Sequence, residues 1–150
     1  MLKDKLCEAP ILDYERENRL FVLDTDASFG AIWTVLSQVK ENDEKTVIVN
    51  GSRHLTMHEK EYCVTRKELL AIHEYVSYFK EYLYAKKFII RTDHKAILFM
   101  NTTKKAISPQ FQTWLANLSE YNYELKYKNG EDHSITELSR INALYVLNVR

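Results

Sequence analysis

An apolar run, Leu20 to Leu23, ends in Asp24-Thr25-Asp26-Ala27-Ser28, and a second apolar run, Ala31 to Leu36, follows almost at once. Two short strands joined this closely form a hairpin, and an acid inside a hairpin is costly to bury without a partner. A divalent cation is one such partner. Oxygen-ligated Mg²⁺ requires several carboxylates brought together from separate elements. The hairpin therefore asks the rest of the chain for more acids at the same point.

The chain has 150 residues, the size of one ordinary domain, and 45% of them are hydrophobic against 28% charged, which suits a packed globular fold. Three Gly and two Pro are too few for a linker protein. Cys7 and Cys63 lack metal-ligand spacing and read as free thiols of a reducing compartment, with a single disulfide as the alternative. A cytoplasmic location is expected. No apolar run is long enough to span a membrane, and no signal-peptide pattern is present. The formal net charge is +0, so any nucleic-acid role must rest on local patches or on a partner domain.

Taken in order, Met1 to Ile11 reads as a short helix or an arm from an upstream domain and Asp13 to Asn18 as a charged turn, 1–18 together being the expected arm. Arg19 to Asp26, Ala31 to Val39 and Thr46 to Gly51 read as three strands of an antiparallel meander. The period then changes. Leu69, Ile72, His73, Val76, Phe79 and Leu83 share one helical face. Thr65 is the expected cap of that helix, with Glu68 in capping-box register. A β-branched strand, Lys86 to Thr92, precedes Asp93-His94-Lys95. Ala96 to Met100 reads as a short helix, and Ser108-Pro109 opens another that carries Phe111, Trp114 and Leu118. Tyr121 to Tyr127 is a fifth strand, and Ile135 to Leu144 a last helix before a tail. The expected fold is α/β, one domain over 1–150, with a five-stranded mixed sheet flanked by helices.

Asp26 ends the first strand, Glu68 lies in the first turn of the long helix, and Asp93 follows the fourth strand. If strands one and four are parallel neighbours, both aspartates leave the same end of the sheet, where ligand sites of such sheets lie. Three close carboxylates repel one another and raise one another's pKa values, a penalty that divalent cations remove. Asp24 reads as a surface acid at a strand end. Arg53, Arg66, Lys67, Lys86, Lys87, Lys104 and Lys105 are candidate phosphate contacts. Thr65, at a helix start, is a further candidate donor to nucleic acid.

Thr25-Asp26-Ala27-Ser28, Tyr62 to Ile72, Arg91-Thr92-Asp93-His94-Lys95 and Leu138-Ser139-Arg140 occur in that order, supported by Val35-Leu36-Ser37-Gln38, Ser52-Arg53 and Trp114-Leu115. In this ordered set the chain resembles the ribonuclease H domain of Ty3/gypsy-type long-terminal-repeat retrotransposon polyproteins, from about Leu2 to Arg140. The resemblance implies a ribonuclease H-like fold. It also implies an endonuclease that cuts the RNA strand of RNA–DNA hybrids with two Mg²⁺, for which Mn²⁺ can substitute. An adjoining polymerase domain of the same polyprotein is the implied partner.

Carried over by position, Asp26, Glu68 and Asp93 match the family's first three metal-binding acids. The fourth depends on the anchor. Counting from Leu138-Ser139-Arg140 places Thr136 at that position, whereas counting from Gly130 places Glu137 there as a catalytic acid. Trp33 stands where the family commonly has Gly. The alternative to an active nuclease is a weakened or inactive domain that holds hybrid or scaffolds a reverse transcriptase. His94 reads as a hydrogen-bonding support, and His133 as a loop residue or a proton shuttle near the site.

Overall fold

The structure, a computed structural model, describes residues 15–100 and 108–129. Five strands form one sheet: β1 (Phe21–Ala27), β2 (Ala31–Val39), β3 (Lys45–His54), β4 (Lys87–Thr92) and β5 (Asn122–Tyr127). Their spatial order is β3-β2-β1-β4-β5. β1–β2 and β2–β3 are antiparallel, while β1–β4 and β4–β5 are parallel. This is the expected mixed sheet, with β1 in its middle. The parallel pairs need crossovers, and helices supply them: α1 (Met57–Lys60), α2 (Val64–Tyr78) and α3 (Lys80–Leu83) before β4, then α4 (Lys95–Leu98) and α5 (Pro109–Leu118) before β5.

The period-two pattern of the strands meets the helical stripe of α2 in one core. Phe21 and Leu23 of β1, Ile32 and Leu36 of β2, and Phe88 and Ile90 of β4 are buried with Leu69, Ile72 and Val76 of α2 and with Phe79 and Leu83 just beyond it. His73 leaves that stripe at its edge. It is half-buried, stacks on Trp114 at 5.7 Å, and packs α2 against α5. α5 starts as its sequence dictates: Ser108 accepts a hydrogen bond from the Phe111 N–H, and Pro109 occupies the first turn, where its missing N–H costs nothing.

Two local expectations are corrected. Thr65 does not cap α2. The cap position is Cys63, which makes no side-chain bond to the helix, and the Thr65 hydroxyl is used elsewhere. The capping box lies earlier, at Thr56 and Glu59, and begins the short helix α1. β3 also runs past Gly51 to His54, because β2 offers it partners as far as Ala31. The expected last helix over 135–144, with Thr136 and Glu137, falls outside the described residues, as do Lys104, Lys105 and His133.

Candidate metal and nucleic-acid site

β1 and β4 pair in parallel with Asp24 opposite Arg91. Residues two apart on a strand share a face, so continuing that register brings Asp26 toward Asp93. The N-terminal part of α2 lies over the same end of the sheet. There Glu68 accepts a hydrogen bond from the Ala27 N–H at 3.2 Å. Asp26, Glu68 and Asp93 each contribute one carboxylate oxygen, and these oxygens lie within 4.8 Å of one another.

The three acids differ in exposure. Glu68 is buried, Asp26 is half-buried and Asp93 is exposed. Burial, followed by the charges of Asp26 and Asp93, pushes the Glu68 carboxyl up to about 8. Burial and Asp93 also raise Asp26, against the opposing effects of the Ala27 N–H and the Lys128 ammonium. One oxygen of Glu68, Oε2, is buried without a hydrogen-bond partner. An orphaned acceptor beside two further carboxylates is the donor set a hard divalent cation requires.

Asp24 is not a surface acid. It is 3% exposed and takes a bidentate ion pair from Arg91, with Nε–Oδ1 at 2.5 Å and Nη2–Oδ2 at 2.6 Å. Lys128, which the sequence places only at the start of a loop, is also buried, and its N–H bonds the Thr92 carbonyl at 2.8 Å. Nothing in the sequence marks this lysine. Trp33 faces Asp26 across the β1–β2 ladder and Ser52 across β2–β3, so it borders the acids on their own face and is half-buried.

The expected nucleic-acid contacts fare unequally. Arg53 is corrected. Its five N–H groups go to Glu59 at 2.7 and 2.9 Å, to both oxygens of Glu74, and to the His54 carbonyl at 3.0 Å, leaving no donor for a phosphate. The hydrogen bonds it donates in turn hold the Glu59 carboxyl down to about 2. Lys67 is buried and directs Nζ to the Phe29 carbonyl at 3.3 Å, and Lys86 pairs with Glu15. Arg66 sits over the Tyr62 ring, its Cζ 3.8 Å from the ring centre, with Nε on Gln110 at 2.7 Å. That leaves Nη1 with no partner among the described residues. Thr65 Oγ1 is bonded to His94 Nε2 at 2.7 Å.

The model of a family described as the RNase H-like domain found in reverse transcriptase matches residues 16–121. The chain belongs to this family. It is 33% identical over 141 residues to the retrovirus-related Pol polyprotein from transposon 412 of Drosophila melanogaster, and 36% identical over 141 residues to that from transposon 297. It is 29% identical over 144 residues to the transposon Tf2-3 polyprotein of Schizosaccharomyces pombe. Each alignment takes in 93% of this chain but only 11 to 13% of the relative, so the chain spans roughly a ninth to an eighth of their length.

Among solved structures, a foamy viral protease-reverse transcriptase in complex with dsDNA superposes with a TM-score of 0.68 at 17% identity, over 85% of this chain and 27% of that one. LC11-RNase H1 in complex with RNA/DNA hybrid gives 0.52 at 15% identity, over 79% of this chain and 90% of that one. Both likenesses establish the RNase H-like fold.

Proposed function

We propose that this RNase H-like domain cleaves the RNA strand of RNA–DNA hybrids by two-metal-ion catalysis during reverse transcription of a Ty3/gypsy-type retrotransposon. The observation that carries the reading is the meeting of Asp26, Glu68 and Asp93 within 4.8 Å, one of them with an orphaned buried oxygen. Asp26, Glu68 and Asp93 would hold the cations. When bound, divalent ions supply an activated water and stabilise the leaving oxygen of the cut phosphodiester. The protein's own part is to keep the acids converged, and the Lys128 charge relieves some of their mutual repulsion.

Of the expected contacts among the described residues, Arg66 is the cation best placed to meet the hybrid backbone. Contacts to phosphate and 2′-hydroxyl groups would make cleavage largely indifferent to sequence. The domain is read as one unit over 1–150, with 1–18 as an arm from a polymerase region of the same polyprotein and 141–150 as a tail. It is proposed to work in the cytoplasm, within a virus-like particle or on passage to the nucleus.

A second reading rests on Thr136, the residue at the fourth acid's place when counted from Leu138-Ser139-Arg140. It makes the domain a hybrid-binding scaffold. Incubating the protein with labelled hybrid and Mg²⁺ or Mn²⁺ separates the two. The nuclease reading expects RNA-strand cuts that Asp26→Asn abolishes. Hybrid binding without cuts at micromolar protein would leave the scaffold.

A further inference from the structure

The hydrogen bond between Thr65 and His94 joins the two elements that carry Glu68 and Asp93. Thr65 is the second residue of α2, three positions before Glu68 and so on the same helix face. His94 directly follows Asp93, and its N–H is held by Oγ1 of Thr92, a fully buried residue of β4, at 3.1 Å. The 2.7 Å bond from Thr65 Oγ1 to His94 Nε2 closes the gap between helix and strand end, across 29 residues of sequence. It is made at the open side of the site. Asp93 lies beyond the last residue of β4 and is exposed, and the carboxylates on either side of the gap repel each other.

We propose that Thr65 and His94 are positioning residues: a latch that sets the separation of Glu68 and Asp93 and thereby the site's affinity for a divalent cation. The proposal rests on the metal-site reading above and replaces the expectation that Thr65 donates directly to nucleic acid. The 2.7 Å bond ties the hydroxyl to His94, and a partner that orients a ligand carboxylate's neighbour acts on metal affinity rather than on substrate affinity. Groups that orient metal ligands commonly change affinity or activity by about 10- to 100-fold when removed.

The test uses the full chain, labelled hybrid and a Mg²⁺ titration. Thr65→Val keeps the side chain's size and removes the bond, whereas Thr65→Ser keeps the bond. Thr65→Val is expected to lower kcat about tenfold, to raise the Mg²⁺ needed for half-maximal rate several-fold, and to leave KM for hybrid within about twofold. Thr65→Ser restores all three. His94→Ala reproduces the Thr65→Val defect, and the double variant is no worse than either single one. A rise in KM with kcat unchanged would make Thr65 a direct hybrid contact and overturn the latch, as would wild-type values for Thr65→Val. If the unaltered protein cuts nothing, the nuclease reading fails separately. The latch then stands or falls on the Mg²⁺-induced rise in Tm: a smaller rise in Thr65→Val supports it, and an equal rise overturns it.

Discussion

Glu68 gathers the tension of the site into one side chain. It is buried, one of its oxygens has no partner, and its carboxyl is pushed up to about 8 against 4.5 for an ordinary Glu. Below the ordinary carboxylate range, folded and unfolded chains both carry the proton, and stability is intact. As pH rises from there toward 8, the unfolded chain gives up a proton that the folded one keeps, so stability drains away until the folded-state value is passed. The raised value of Asp26 acts in the same direction. The metal-free protein should therefore lose Tm steadily between about pH 5 and about pH 9. Glu68→Gln should flatten that slope and raise the metal-free Tm at the alkaline end by several degrees, and it should weaken the rise in Tm that Mg²⁺ gives the unaltered chain. Melting curves over pH, with chelator and with Mg²⁺, check all three.

The parallel pair of β1 and β4 carries a favourable and an unfavourable charge pair in succession. Asp24 and Arg91 attract across the ladder, and Asp26 and Asp93 repel one step further on. The first pair therefore anchors the register that the second strains. Cutting only one side of a buried ion pair strands its partner, so Arg91→Met should cost about 3–5 kcal/mol. Arg91→Met combined with Asp24→Leu should cost far less, and urea unfolding of the three variants measures the difference. These elements were only partly legible in the sequence. The strands, α2 and α5 followed from period, and Ser108-Pro109 marked its helix start correctly. The Thr56/Glu59 box has the same spacing as Thr65 and Glu68, so spacing alone does not tell which pair caps a helix. The convergence of Asp26, Glu68 and Asp93 was anticipated from strand ends and helix start. The burial of Asp24 and Lys128 was not, since an isolated charge carries no period. Nor could sequence say that Arg53 would commit its donors to Glu59, Glu74 and the His54 carbonyl, because that depends on α1 and α2 folding back beside β3.

At the scale of the whole molecule, the proposed function asks a chain of +0 formal charge to hold a polyanion. With Arg53 saturated, Lys67 buried and Lys86 paired with Glu15, three of the expected phosphate contacts among the described residues are already committed within the fold. The isolated domain should bind hybrid weakly, with a shallow fall of log K against log salt, each phosphate contact contributing a slope of about 0.9 or less. Joining it to the polymerase region proposed above should steepen that dependence, which a fluorescence titration at several salt concentrations reads directly.

The middle place of β1 in the sheet has a further consequence. Its backbone is bonded on both flanks, so it belongs to the part that opens last, whereas the turn after β4 lies beyond the ladder and depends in part on the side-chain bonds of Thr92, His94 and Thr65. On warming, Asp93 should drift from its companions while Asp26 still stands in an intact sheet. Enzymatic competence would then vanish several degrees before the protein melts, and return on cooling without refolding.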